Sequence, residues 1–278
     1  MKFGLGIFAT DYAIQLTELA PLAEARGFES LWVGEHTHIP ASRITRHPNG
    51  QELPRHYWHM MDPFVGLATA AALTTNLRIG TGVCLVLEHH PIDLAKRVAS
   101  LDYVSNGRFI FGISAGWNRE EMENHGIEFS SRWRRMREHV EAMRAIWTMN
   151  EAEYHGEFVD FGPILAWPKP IQKPSPPIFV GGNGPNAINR VVRYGDAWMP
   201  MLSATTERVQ ELQRLATNAG RRPIPVTCFS VLAEPAELER LIRVGVERCV
   251  FNLPADGRDA ALARIDELTR VVEPYQVD

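Results

Sequence analysis

One pattern constrains this chain more than any other. Eight times, a short β-branched or apolar run bounded by Gly, Asn or Pro is followed by a longer stretch of helical period. That alternation predicts βα units arranged around a parallel sheet. The runs fall at Phe3–Ala9, Ser30–Gly34, Leu77–Leu87, Arg108–Ser114, Ile178–Gly181, Ala197–Met201, Pro225–Leu232 and Arg248–Leu253. After the first, Leu19, Leu22 and Ala23 share one helical face and Gly27 supplies the stop. Eight such pairs in 278 residues point to an α/β fold, the (β/α)8 TIM barrel. An open doubly wound sheet is the competing fold, but no GxGxxG fingerprint follows the first run. The rhythm breaks once, around residues 150–177, where Glu153–Phe161 resembles a small hairpin and a proline-rich stretch follows. Because the alternation resumes unchanged, this segment reads as an insertion, and 1–278 as a single domain.

Charge and composition then narrow the class of partner. With 29 Lys+Arg against 33 Asp+Glu, the formal net charge of −4 gives no general attraction to nucleic acid or to an anionic membrane. A small organic molecule is the expected partner. There is no apolar run of about 18 residues and no charged-then-apolar leader, so a cytoplasmic location is expected. Cys84, Cys228 and Cys249 are widely spaced and odd in number, which favours buried thiols over a disulfide framework or a zinc knuckle.

In a barrel of this kind the chemistry sits at the C-terminal ends of the strands. Strand two runs into Glu35-His36-Thr37-His38, where a histidine is suited to proton transfer at neutral pH. His36 and His38 also have the spacing of a metal-binding pair, as in metal-dependent barrel hydrolases, but the ends of later strands offer no further ligands, so that hydrolase is the less favoured alternative and no metal is expected. Gly80-Thr81-Gly82-Val83 allows a bulge that approaches a flat ligand closely, and Gly112 to Trp117 leaves room for a ring system with Trp117 as a wall. Phe179-Val-Gly-Gly-Asn-Gly-Pro185 leads into a helix, a natural phosphate seat, although a tight strand-to-helix turn explains it too. The long stretch Glu35–Met61 has no steady period, and its Tyr57-Trp58-His59-Met60-Met61 offers aromatic surface for a substrate pocket or for packing.

Together these pieces resemble the luciferase-like family of flavin and deazaflavin oxidoreductases. The likeness rests on Ala25 to His36, Leu77 to Val83, His90-Pro91, Leu101-Asp102, Ser105 to Phe109, Gly112 to Trp117 and Gly195 to Trp198, in that order. It implies a barrel binding coenzyme F420, or alternatively FMN, at the strand ends. By motif matching, Gly82 and Val83 fall at the family's bulge behind the ring, often built with a non-prolyl cis peptide. Ser114, Ala115 and Gly116 would line the ring or its side chain, while Gly182, Asn183 and Gly184 would hold the phosphate. Glu35 would lie near the reactive face, with His36 as the catalytic acid or base and Trp58, His59 and Trp117 around the substrate. The pattern looks closest to the short F420-dependent branch, which implies hydride transfer to or from a small organic substrate; FMN would instead imply a reduced-flavin monooxygenase. Family members are often homodimers. Trp117 stands where sugar-phosphate dehydrogenases of the F420 branch place a catalytic glutamate, and Ser114 where luciferases place a cysteine, so neither of those two activities is expected.

Overall fold

The computed structural model describes residues 1–48, 50–204 and 206–275; positions 276–278 of the expected single domain lie outside the described residues. Its strands are β1 (Lys2–Ile7), β2 (Ser30–Val33), β3 (Arg78–Thr81), β4 (Cys84–Leu85), β5 (Phe109–Ser114), β6 (Glu151–His155), β7 (Asp160–Leu165), β8 (Ile178–Gly181), β9 (Ala197–Met199), β10 (Thr227–Phe229) and β11 (Arg248–Asn252). The helices are α1 (Leu16–Ala25), α2 (Pro63–Ala72), α3 (Pro91–Val104), α4 (Arg119–Asn124), α5 (Arg132–Thr148), α6 (Ala187–Tyr194), α7 (Thr206–Asn218), α8 (Pro235–Arg243) and α9 (Arg258–Val272).

Parallel pairing runs in the order β10, β11, β1, β2, β3, β5, β8, β9. Single bridges from Trp198 to Val226 and from Met201 to Phe229 then join β9 back to β10 and complete the ring. The result is the expected TIM barrel, with helices outside. Two runs depart furthest from their expected extent. Leu77–Leu87 is not one strand: it stops at Thr81, passes through a bulge in which the Gly82–Val83 peptide is cis, and resumes as the two-residue β4. Pro225–Leu232 keeps only three strand residues, because Ser230 turns to φ 56°.

Alternation along the strands sorts the core into two compartments. Leu31 and Val33 face the helices, while Trp32 points inward to join Ile110, Phe179, Met199, Phe229 and Val250 in the barrel lumen. The indole fills that space because neighbouring strands carry glycine beside it. A Cβ on Gly80 would lie 2.5 Å from Trp32 Cε3. Below it, Arg248 closes the floor with two 2.7 Å bonds to Glu29 and one of 3.0 Å to Thr227.

The insertion contains the predicted hairpin as β6 and β7. It hangs on one buried carboxylate, Glu138 of α5, which accepts the backbone N–H groups of Glu157, Phe158 and Val159. All three cysteines are free and buried.

Candidate active site

The bulge is held from beneath by Glu35. Its side chain, 2% exposed, accepts the Leu85 N–H at 2.6 Å on one oxygen and meets His89 Nε2 at 2.9 Å on the other. Burial alone would raise this carboxyl, but the His89 ring and the Leu85 N–H outweigh it and hold Glu35 below the usual carboxylate range. Arg97 meets the far nitrogen of the same ring at 3.2 Å. Glu35 therefore fixes the segment that follows the bulge. Above, Gly82 joins Gly6, Phe8, Trp32, Gly34, Met201, Phe229, Ser230 and Asn252 around a hollow at the mouth of the barrel. Val83 packs toward β8, where a Cβ on Gly181 would come within 2.9 Å of it.

His36 sits at the rim of this mouth, 8% exposed, with Nδ1 2.6 Å from Glu121 Oε2. Donation from Nδ1 to the carboxylate leaves Nε2 as the ring's acceptor, the arrangement that orients an imidazole for proton transfer. Glu121 comes from α4, a helix the sequence reading missed. Arg119-Glu-Glu-Met-Glu-Asn124 has the composition of a solvated surface, and only the fold turns Glu121 inward beside the buried Met122.

The long loop folds back across the mouth. Tyr57 stands 5.1 Å from the His36 ring and 6.2 Å from Trp117, and Trp117 lies 5.7 Å from His36. His56 stacks on Phe8 at 4.3 Å, and His47 bonds the Tyr57 hydroxyl at 2.9 Å. Burial raises the Tyr57 phenol and lowers His56, so both remain neutral at physiological pH. Trp58 and His59 are placed differently. Trp58 is 51% exposed, and His59 bonds Asp11 at 2.9 Å on the outer side of the loop. The loop itself is pinned by Glu120, whose Oε1 accepts Ile44 N–H at 2.7 Å and Thr45 N–H at 3.0 Å. Burial opposes ionisation there, but these bonds prevail and bring the carboxyl down to about 2.

Across the mouth, β8 ends in the glycine loop. Gly182 has φ 119°, a conformation that L side chains rarely adopt, and Cβ atoms built on Gly182 and Gly184 would meet nothing within 4 Å. Asn183 braces the loop, accepting the Met201 N–H at 2.9 Å and donating to Ser203 at 3.2 Å. Arg208 on α7 bonds the carbonyls of Asn183 at 2.7 Å and Gly184 at 3.1 Å, which puts a guanidinium beside the proposed phosphate seat. Nothing in the sequence linked Arg208 to a loop that precedes it by more than a helix. At and just after the end of β5, Ser114 is half-buried, Ala115 is in the core at 1% exposure, and Gly116 adopts φ 87°.

The histidine pair does not converge on a metal. His38 turns away, with Nδ1 3.0 Å from Thr37 and Nε2 2.8 Å from Asn124. Glu35, Cys84 and His89 do bring donor atoms within 4.8 Å of one another. Burial, then the neighbouring Glu35 charge, pushes the Cys84 thiol well up, so it stands as a protonated hydrogen-bond donor to Glu35.

A family model described as luciferase-like monooxygenase matches residues 7–272 of the chain. The protein belongs to the luciferase-like monooxygenase family. A protein of Mycobacterium tuberculosis is 40% identical over 275 residues, covering 96% of this chain and 97% of its own length. The oxygenase component of flavin-dependent trigonelline monooxygenase from Acinetobacter baylyi is 33% identical over 183 residues, 65% of this chain and 46% of that one. Among solved structures, the monooxygenase RslO1 from Streptomyces bottropensis superposes with a TM-score of 0.79 at 24% identity, covering 99% of each chain. The coenzyme F420-dependent tetrahydromethanopterin reductase of Methanopyrus kandleri gives 0.76 at 19% identity, again with 99% of each chain covered. At those identities the two structures establish the shared fold. No helix among the described residues is long and apolar enough to cross a membrane.

Proposed function

We propose that this oxidoreductase uses coenzyme F420 to move hydride to or from a small organic substrate, with His36 as the acid or base. The observation that carries the reading is the buried Glu121–His36 pair at the rim of a mouth floored by glycine and walled by aromatic rings. A flat ring system fits this geometry. At Gly82 the floor leaves no room for a side chain, since a Cβ there would lie 2.9 Å from Phe229, while the open loop at Gly182 and Gly184 with Arg208 suits an anionic tail. When bound, the deazaflavin supplies a carbon centre that accepts or returns hydride.

The chain's own residues do the rest. Gly82 and Val83 support the ring from behind, with Glu35 fixing the segment beneath. Gly182, Asn183 and Gly184 seat the phosphate; Ser114 and Gly116 flank the ring, and the buried Ala115 packs behind them. Glu121 holds the His36 ring so that Nε2 takes or gives the substrate proton. Tyr57 and Trp117 exclude water and form the apolar wall of the substrate pocket, with Trp58 and His59 at its outer edge.

FMN is the alternative, favoured by the 33% identity to a flavin-dependent monooxygenase. The same seat serves either ring, and under FMN the protein would act on its substrate as a monooxygenase. Parallel titrations of the purified protein with F420 and with FMN, followed by fluorescence quenching, separate the two. Tight F420 and weak FMN binding is expected; the reverse moves the reading to a monooxygenase, and binding of neither overturns both. His36→Ala should then lower turnover by about 100-fold or more with cofactor affinity retained.

A further inference from the structure

Three carboxylates are sunk into one side of the mouth. The side chains of Glu35 and Glu88 are each 2% exposed and that of Glu121 is 1% exposed. Two of them hold an imidazole: Glu121 meets His36 at 2.6 Å and Glu35 meets His89 at 2.9 Å. Glu88 holds none. His125 Nε2 stands 3.8 Å from its Oε2, beyond hydrogen-bond range, and that oxygen is buried with no hydrogen-bond partner among the described residues. Two ring-paired carboxylates and a third ionised one beside them would leave a buried negative charge uncompensated. A proton removes that charge at far lower cost than burying it.

Among the described residues no Arg or Lys forms an ion pair with Glu88, whose one basic neighbour within 4.0 Å is His125. Glu88 lines a cavity of about 440 Å³ with His90, Arg135, His139 and Asp160. Arg135 bonds Ser131 at 2.8 Å, His139 bonds the Arg135 carbonyl at 2.9 Å, and Asp160 bonds His155 at 2.7 Å. The His90 ring accepts the Ile92 N–H at 3.4 Å. On the inner side are Glu121 and Glu35, both acidic, which add to the effect of burial on Glu88.

We propose that Glu88 is a neutral carboxylic acid at physiological pH and acts as a positioning residue, its proton setting the charge felt by the Glu121–His36 pair. Thr37, the residue after His36, favours the ionised form of Glu88, but burial and the neighbouring acids Glu121 and Glu35 outweigh it. The Thr37 hydroxyl oxygen lies 2.8 Å from His125 Nε2, and the His125 side chain is 28% exposed. Burial first, and then the neighbouring acids, raise Glu88 to about 9. Ionising it puts a second negative charge beside Glu121, which holds the proton on His36 more tightly.

The inference rests on the proposed function for the use of the proton, whereas the proton itself is measured without cofactor. The test is a titration of the full chain carrying ¹³C-labelled glutamate, with the His36 ring followed by ¹⁵N NMR, in wild type and in Glu88→Gln, which keeps the shape and removes the charge. Expected are one glutamate signal titrating on the alkaline side of neutral in wild type and absent from the variant, and a His36 response to that step that the variant lacks. The folding equilibrium constant of wild type relative to the variant should also fall by up to about tenfold per pH unit from the ordinary glutamate range up to about 9, and no further above it. Glutamate signals that all titrate in the acid range would overturn the proposal, and that result needs only wild type, should the variant fail to fold. An alkaline glutamate step with no His36 response would overturn the link to the dyad. Failure of the cofactor titration would leave these readouts unaffected and would count against the proposed function alone.

Discussion

The two sides of the barrel mouth are built from different materials. On the side of β2, β3 and β5, the polar groups are buried carboxylates, Glu35 and Glu121 each locked to a ring and Glu88 without one, all at 2% side-chain exposure or less. Opposite, at the ends of β8 and β9, the chain offers glycine backbone braced by Asn183 and Arg208. Under the proposed function the difference separates two tasks. Moving a proton requires groups whose charge is controlled by burial, whereas holding an anionic tail requires exposed N–H groups and room for close approach.

The largest effect should come from within the carboxylate side, where β3 and β5 pack backbone to backbone. A Cβ on Gly112 would lie 2.0 Å from the Thr81 carbonyl, a backbone atom that cannot step aside. Gly112→Ala should therefore destabilise the protein by about 3 kcal/mol, read from denaturant unfolding; a loss under 1 kcal/mol would mean that β3 and β5 separate more easily than their packing implies. Next come the carboxylates themselves. Glu35→Ala leaves the Leu85 N–H and the His89 ring without their partner and should cost about 2 kcal/mol, chiefly by loosening the bulge. Its pH dependence has a definite sign. The folded carboxyl is held below its unfolded value, so the stability it adds is present above the ordinary glutamate range and is lost as pH falls through it.

On the glycine side, the expected change is in binding as well as in stability. Gly182→Val forces a β-branched residue toward φ 119° and should weaken cofactor affinity roughly tenfold, measured by the same quenching titration. Equal binding by the variant would remove this loop from the cofactor seat. A smaller effect is expected on acidification. Glu120, lowered to about 2, loses its bonds to Ile44 and Thr45 only as pH falls below the usual carboxylate range, so limited proteolysis of the loop should increase there and not at neutral pH. Smallest of all, Trp58→Ala should change stability by less than about 0.5 kcal/mol, because the ring is half exposed on the outer face of the loop. Tyr57→Ala should weaken substrate use far more than Trp58→Ala, and the reverse order would return the pocket wall to Trp58.

Much of the barrel was legible because a buried parallel strand and an amphipathic helix each leave a local periodic mark. Ser30–Val33, Phe109–Ser114 and Ile178–Gly181 fall within a residue of their expected limits. The split of Leu77–Leu87 was less legible, since glycine permits a bulge without requiring one. His36 was recognisable by its place after a strand, but Glu121 was not. A charge-rich hexapeptide looks the same whether one of its carboxylates meets water or a buried imidazole.

By itself the sequence determined the alternation, the insertion, the glycines at the strand ends and the histidine that follows β2. Each is a property of neighbours along the chain, set by side-chain shape and hydrophobic period. Tertiary structure alone decided which charges meet: Glu35 with His89 across 54 positions, Glu121 with His36 across 85, and Glu88 without a ring partner. Those pairings arise because closing the barrel brings distant strand ends to one rim, and the free energy of a charge there depends on what surrounds it in space, not on its neighbours in sequence.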